Sequence, residues 1–261
     1  MKKLGTVVLR RMSVYTTLAT WLVTTTCALA QSAPTSLGRQ EAKTFISHGQ
    51  KTNTLAYLLY LPKAYDAEPA TRWPLTLFLH GSGERGTNIA VVTKHGPPRL
   101  VREGHDLPFI LISPQCPDKQ RWDDTILLGL LDEIEARYRV DTNRVYLTGL
   151  SMGGSGTWNL GLKHPQSFAA LAPICGSANP ELVQKSDSKR MDAIKSLGIW
   201  VFHGAKDPTV PITASERMVE ALKGAGCKDV QFTKYPEAQH DSWTETYNNP
   251  NLYHWLLAHH R

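Results

Sequence analysis

The sequence is poor in cysteine and has no long apolar run. Only four of its 261 residues are cysteines, and three of these, Cys116, Cys175 and Cys227, lie beyond the first thirty residues. Since an odd number does not make a disulfide framework, and Cys116 and Cys175 lie on predicted strands that are not adjacent, we expect no bridge. No CxxC pattern and no histidine pair at ligand spacing is present, so we expect no metal. No internal segment reaches the ~18 apolar residues of a transmembrane helix.

The sequence also lacks a basic cluster outside its first thirty residues. These begin with four basic residues and no acid, continue with an apolar stretch and end in the tripeptide ALA at 28–30. This order predicts a signal peptide over residues 1–30, with an N-terminal membrane anchor as the alternative. Its removal takes away four positive charges and lowers the net charge from +6 to +2. We therefore expect an exported protein, periplasmic or secreted, with no nucleic-acid partner and no stable membrane insertion after cleavage.

Short apolar runs and helical patterns alternate along the rest of the chain, after a polar lead-in at residues 31–42. Strands are predicted over 43–48, 55–62, 75–81, 109–117, 144–149, 171–176, 198–204 and 230–236, and helices over 124–138, from about 151, over 213–226 and over 251–260. This alternation predicts one α/β domain over 43–261, with a mostly parallel sheet and helices on both faces. The first two strands should form an antiparallel edge pair. Residues 177–197 are too few for a cap domain.

The segment VYLTGLSMGGSGTW at 145–158 passes from a buried strand into a helix at Ser151. Its centre matches G-x-S-x-G, and in a strand–turn–helix context this pattern is the nucleophile elbow, which exposes the serine Oγ at the carboxyl edge of the sheet. Glycines flank the turn because side chains there would clash with the neighbouring strand and helix. The turn at Ser151 matches neither G-x-G-x-x-G nor G-x-x-x-x-G-K-[ST], so it does not predict a phosphate site.

A serine hydroxyl needs a base, and in this arrangement an acid and then a histidine follow on loops after later strands. Asp207 follows the strand that ends at residue 204, and His240 follows the last strand. We expect Asp207 to orient His240 and His240 to activate Ser151. Asp241 is the alternative acid, although adjacent side chains on a loop rarely face each other.

Hydrolysis also requires backbone donors for a developing oxyanion. We expect the N–H of Met152, next to Ser151, and the N–H of Ser82 in the segment HGSGERG at 80–86, with Gly83 as the alternative to Ser82. His80 stands at the end of the strand, before the donors, and is expected to fix this loop instead of acting as a base.

Six segments in the same order resemble exported bacterial serine esterases of the α/β-hydrolase superfamily: YLLYLP, LFLHGSGERG, ISPQCP, YLTGLSMGGSGTW, FHGAKDPTVP and HDSW. The resemblance covers roughly residues 43–258. It lies near the phospholipase/carboxylesterase, dienelactone-hydrolase and prolyl-oligopeptidase-like groups and near feruloyl and acetylxylan esterases. It implies the α/β-hydrolase fold, an acyl-enzyme formed on Ser151 with His240 and Asp207, and no cofactor. Some depolymerases and feruloyl esterases have a cysteine where this chain has Ser82, so the resemblance does not imply a particular polymer or feruloyl substrate.

An uncapped site favours short-chain, carbohydrate-linked or phenolic esters over long-chain fats, and the expected partner is a small-molecule or polymer-linked ester. Trp122 and Trp243 follow predicted site loops and are candidates for lining an aromatic cleft, with core packing as the alternative for each. Two other functions stay open. A peptidase of the prolyl-oligopeptidase type would share the same three residues, whereas a non-catalytic binding protein would show a broken set. The sequence does not indicate an oligomeric state.

Overall fold

The structure is a computed structural model that describes residues 37–48 and 52–261. The predicted signal peptide at 1–30 lies outside the described residues, as do residues 31–36 of the predicted lead-in. The first strand begins at Gln40, three residues earlier than predicted, so the end of the predicted lead-in is part of the sheet.

Eight strands form one sheet within the described ranges. They are β1 (Gln40–His48), β2 (Thr52–Tyr60), β3 (Trp73–Leu79), β4 (Ile110–Pro114), β5 (Val140–Leu150), β6 (Ala170–Ile174), β7 (Gly198–Gly204) and β8 (Val230–Tyr235). Their spatial order is β1-β2-β4-β3-β5-β6-β7-β8. The first two strands pair antiparallel, β2 pairs antiparallel with β4, and every later pair is parallel. The predicted mostly parallel sheet with an antiparallel edge pair is confirmed.

The α-helices of the described ranges are α1 (Gly96–Arg102), α2 (Asp124–Arg137), α3 (Met152–Lys163), α4 (Glu181–Gln184), α5 (Ser188–Lys195), α6 (Thr213–Gly224), α7 (Trp243–Asn248) and α8 (Pro250–Ala258). Short 3₁₀ helices cover Ser82–Glu84, Ile89–Lys94 and Pro165–Ser167. The carboxylate of Asp123 accepts the Ile126 N–H and caps α2. None of the helices in these ranges has the length and hydropathy needed to cross a bilayer.

Two hydrophobic clusters cover the two faces of the sheet. Leu75, Leu77 and Leu79 of β3 enter the cluster that includes residues of α2, α3 and α6, while Phe78 enters the cluster that includes residues of α7 and α8. This alternation follows from the two-residue period of a strand, and burial on both faces explains why β3 is apolar at every position except Thr76. Residues 177–197 hold only the short helices α4 and α5, so this part of the chain forms no cap. The predicted site residues lie at the carboxyl edge of the sheet.

Candidate active site

The chain turns from strand to helix at Ser151, which lies between the end of β5 and the start of α3. Ser151 has φ 53° and ψ −114°, a backbone conformation that L-residues rarely adopt and that surrounding contacts must hold in place. Its N–H donates to the carbonyl of Ile174 at 2.9 Å, and its own carbonyl accepts the N–H of Ser155 at 2.9 Å. The turn is thereby fixed between β6 and the first turn of α3.

Two glycines allow β5, β3 and α3 to approach closely at this corner. A Cβ added to Gly153 would overlap the carbonyl of Leu79, and one added to Gly149 would overlap the carbonyl of Gly153. These neighbours are backbone atoms, which cannot move aside as a flexible side chain can. The G-x-S-x-G pattern is therefore a steric requirement of this strand–turn–helix geometry.

Ser151, His240 and Asp207 form one hydrogen-bonded chain at the carboxyl edge of the sheet. His240 Nε2 lies 2.9 Å from Ser151 Oγ, and His240 Nδ1 lies 2.7 Å from Asp207 Oδ2. Because the carboxylate can only accept when ionised, Nδ1 carries the proton and Nε2 accepts from the serine hydroxyl. The side chain of His240 is 21% exposed, so it stands at the boundary between the protein and solvent.

Asp207 is fully buried at its side chain and receives several hydrogen bonds. Its Oδ1 accepts the N–H groups of Thr209 at 2.8 Å and Val210 at 2.9 Å. Burial alone would raise the pKa of Asp207, but the hydrogen bonds from His240, Val210 and Thr209 outweigh it and lower the pKa below the usual value. The carboxylate is therefore ionised at neutral pH.

Asp241, the alternative acid, accepts its hydrogen bonds from Thr244 and not from His240. Its two carboxylate oxygens accept the N–H and the hydroxyl of Thr244, each at 2.9 Å, in the first turn of α7. The hydrogen bond to His240 Nδ1 comes from Asp207.

His203 is a second histidine on Asp207, and the sequence analysis did not identify it. It lies on β7 with no exposed surface, and its Nε2 is 2.9 Å from the Val210 carbonyl and 3.2 Å from Asp207 Oδ2. Both neighbours of Nε2 are acceptors, so Nε2 carries the proton and Nδ1 accepts from the hydroxyl of Ser215 at 2.7 Å. His203 thus ties the loop that carries Asp207 to β7. The sequence offered one sign of this contact, because His203 precedes Asp207 by four residues.

The predicted oxyanion donors begin helices beside Ser151. Met152 is the first residue of α3, and Ser82 is the first residue of a 3₁₀ helix after β3. N–H groups in a first helical turn have no acceptor within their own helix and are free to bind an anion. Ser82 and Gly83 are both exposed, so the alternative between these two donors stays open.

Side-chain hydrogen bonds fix the conformation of the loop at residues 80–86. His80 Nδ1 donates to the Gly81 carbonyl at 2.6 Å, and His80 Nε2 accepts the Cys116 N–H at 3.0 Å. Burial lowers the pKa of His80 to about 4, so the ring is neutral at physiological pH. Arg85 donates to the Ser82 carbonyl, and Gln115 donates to the Glu84 carbonyl. His80 therefore fixes this loop and is not part of the hydrogen-bonded chain that contains Ser151.

The two candidate cleft tryptophans occupy different surroundings. Trp122 packs edge-on against His80 with 4.8 Å between ring centroids, and lines a cavity of about 470 Å³ that also includes Met152. Trp243 stands perpendicular to the ring of His240, with 5.3 Å between centroids, and its indole N–H donates to His95. Both are partly exposed, whereas Trp158 is fully buried in the core.

Cys175, Asp207 and His240 place a sulfur, an oxygen and a nitrogen within 4.8 Å of one another. Two of these three residues already belong to the hydrogen-bonded chain of Ser151. Burial also raises the pKa of the Cys175 thiol to about 12, and a protonated thiol is a poor metal ligand. The donor set of this cluster therefore fits the Ser151 site better than a metal centre. Cys116, Cys175 and Cys227 are all unbridged.

The known proteins that this chain resembles include several esterases. A sequence model of the phospholipase/carboxylesterase family matches residues 126–251. A probable feruloyl esterase C of Aspergillus niger is 24% identical over 230 residues, which is 84% of this chain and 81% of that protein. The bifunctional acetylxylan esterase/xylanase XynS20E of Neocallimastix patriciarum is 28% identical over 194 residues, 70% of this chain and 26% of that protein.

A solved structure of a thermostable esterase is 31% identical and superposes with a TM-score of 0.69. The match covers 86% of this chain and 64% of that one, so the chain spans less than two thirds of that esterase. The family match falls on the segment that carries Ser151, Asp207 and His240, and the likeness to esterases extends over most of the remaining domain. The chain has the α/β-hydrolase fold and is an ester hydrolase.

Proposed function

We propose that this ester hydrolase is a serine esterase that acts through an acyl-enzyme. The observation that carries the proposal is the unbroken hydrogen-bonded chain from Ser151 Oγ through His240 to Asp207. A hydroxyl, an imidazole in the required tautomer and a buried carboxylate are the groups that nucleophilic acyl transfer needs. The strained backbone of Ser151 supports the same role, because such strain is concentrated at functional sites.

In the first half of the reaction, Ser151 Oγ attacks the ester carbonyl while His240 Nε2 takes its proton. The negative charge on the carbonyl oxygen is stabilised by the N–H groups of Met152 and Ser82, each worth on the order of 10²–10³ in rate. His240 then gives its proton to the departing alcohol oxygen, and the acyl group stays on Ser151. Asp207 stabilises the imidazolium that forms between these two transfers.

In the second half, water replaces the alcohol. His240 takes a proton from the water as its oxygen attacks the acyl carbon, and the same two N–H groups hold the oxyanion. Collapse of this intermediate breaks the bond to Ser151, which recovers its proton from His240 and releases the carboxylic acid. No step requires a cofactor.

We further propose that the substrates are short-chain, carbohydrate-linked or phenolic esters that the protein meets after export. The absence of a cap over residues 177–197 leaves the site open to a bulky alcohol. The names of the feruloyl and acetylxylan esterase relatives support this substrate class. The signal-like residues 1–30 support export, which would leave residues 31–261 as the mature protein.

The initial rate of p-nitrophenyl butyrate hydrolysis, with and without the substitution Ser151→Ala, tests the proposal. We expect the substitution to lower kcat at least ~10⁴-fold, because no other hydroxyl in the described part of the chain is hydrogen-bonded to His240 Nε2. The exposed Ser196 provides the control, and Ser196→Ala should retain the wild-type rate. If Ser151→Ala stayed active, or if the folded wild type cleaved only peptide anilides, the serine-esterase assignment would be wrong.

A further inference from the structure

Glu84 is a buried carboxylate next to the reacting centre that the proposed mechanism does not use. It ends the 3₁₀ helix that Ser82 begins, and only 6% of its side chain is exposed. None of the described residues donates a hydrogen bond to its carboxylate. A buried acid without a donor is costly to the fold, which points to a role in binding.

His95 supplies a donor opposite Glu84. The indole N–H of Trp243 donates to His95 Nδ1 at 3.3 Å, so in the neutral ring Nε2 carries the proton. Burial lowers the pKa of His95, which favours the neutral ring at physiological pH. Nε2 lies 3.9 Å from Glu84 Oε1, too far for a direct hydrogen bond.

Two atoms that lie 3.9 Å apart can share hydrogen bonds with one hydroxyl group placed beside them. An oxygen about 2.8 Å from each atom would accept the N–H of His95 and donate its own proton to Glu84. A substrate ammonium group could donate to Glu84 but could not accept from His95. A second carboxylate would be repelled by Glu84. The pair therefore selects an alcohol over a charged group.

The pair also lies on the side of the site where the alcohol part of an ester must be. The departing oxygen takes its proton from His240, so the group attached to that oxygen extends on the His240 side. Trp243 packs against the ring of His240 at 5.3 Å and against the ring of His95 at 5.5 Å. Glu84 comes from the same loop as the proposed donor Ser82. Glu84 and His95 thus connect the loop that carries Ser82 with Trp243, which packs against His240.

We propose that Glu84 and His95 form a subsite for a hydroxyl group of the leaving alcohol, so that the protein prefers esters of sugars or other polyols to esters of simple alcohols. This inference rests on the proposed serine-esterase function and narrows its substrate class. Trp243 beside the subsite offers an apolar ring face, which suits the C–H surface of a sugar.

Two butyrates with different alcohols test the subsite: hexyl butyrate and the 6-O-butyrate of methyl α-D-glucopyranoside. The measured quantity is the ratio of kcat/KM for the sugar ester to that for the hexyl ester. Glu84→Gln should lower this ratio about tenfold or more, since it removes the charge that receives the substrate hydroxyl. His95→Leu should lower it similarly, and His95→Gln should restore part of it, because the amide can donate in place of Nε2.

Glu103→Gln is the matched control, because Glu103 is exposed on the segment after α1 and should leave the ratio unchanged. Glu84→Gln should not lower Tm, because it removes a buried charge without a hydrogen-bond donor. A ratio that is the same in Glu84→Gln and wild type overturns the subsite and leaves the esterase standing.

A wild type that hydrolyses neither of these esters nor p-nitrophenyl butyrate overturns the proposed function, and a binding measurement then decides the subsite separately. Methyl α-D-glucopyranoside should raise the Tm of Ser151→Ala and have no such effect on the double variant Ser151→Ala/Glu84→Gln. Equal shifts in the two variants, or no shift in either, would rule the subsite out.

Discussion

Two aspartates compete for the role of acid, and hydrogen bonds distinguish them at the level of single residues. Asp207 Oδ2 lies 2.7 Å from His240 Nδ1, whereas Asp241 binds Thr244 with both oxygens. In Asp207→Asn, the amide oxygen would keep the N–H groups of Thr209 and Val210, which places the amide NH₂ opposite His240. His240 Nδ1 would then have to accept, and Nε2 would carry a proton toward Ser151.

We therefore expect Asp207→Asn to lower kcat on p-nitrophenyl butyrate by on the order of 10³–10⁴-fold, since the wrong tautomer cannot accept the serine proton. Tm should change little, because the backbone hydrogen bonds at this position persist. Asp241→Asn is the control and should retain a rate within about threefold of the wild type. The reverse order of the two rates would make Asp241 the acid.

The residues that could not be identified from the sequence are those whose partners come close only when the chain folds. Ser151, Asp207 and His240 could be identified because a chain order and a local pattern mark them. Apart from the four-residue spacing of His203 from Asp207, His203 and Glu84 carry no such pattern, because their roles depend on neighbours brought close by folding. Glu84 lies 3.9 Å from a ring eleven residues later, and that distance cannot be read from spacing.

At the level of elements, the contact of β3 with α3 sets the geometry of the serine turn. The substitution Gly153→Ala would place a methyl group inside the carbonyl of Leu79, so β3 and α3 would have to separate. We expect the free energy of unfolding to fall by at least about 3 kcal/mol in urea titrations.

Gly224→Ala supplies the matched control, because a Cβ at the end of α6 would meet no atom within 4 Å. Alanine is the better helix former, so this substitution should leave stability unchanged or raise it by up to about 1 kcal/mol. If Gly153→Ala were as stable as Gly224→Ala, steric crowding would not explain the glycine after Ser151.

Long or strongly patterned elements could be predicted from the sequence, and short ones could not. The bounds predicted for β7 match those observed, and α2 ends one residue before its predicted end. The helices α1, α4, α5 and α7 were missed. Each spans at most eight residues, which is too short to show a helical period, and tertiary contacts stabilise such helices more than propensity does.

For the molecule as a whole, buried histidines make stability depend on pH. The pKa of His80 is lowered from 6.5 to about 4 by burial. Between these values the unfolded chain binds a proton at this residue and the folded chain does not, so stability falls as pH falls. The contribution is complete above pH 6.5 and is lost progressively toward pH 4. Its full size is about 3 kcal/mol.

Unfolding free energies measured by urea titration at pH 7 and pH 4 check this contribution. In His80→Gln the side chain does not titrate, so the loss of stability between the two pH values should shrink by about 2–3 kcal/mol. A smaller loss should persist, because the lowered pKa of His95 acts in the same direction. His105→Gln, at an exposed position, should lose as much stability as the wild type. If His80→Gln also lost as much, His80 would take up a proton in the folded protein between pH 7 and pH 4, and burial would not keep its ring neutral in that range.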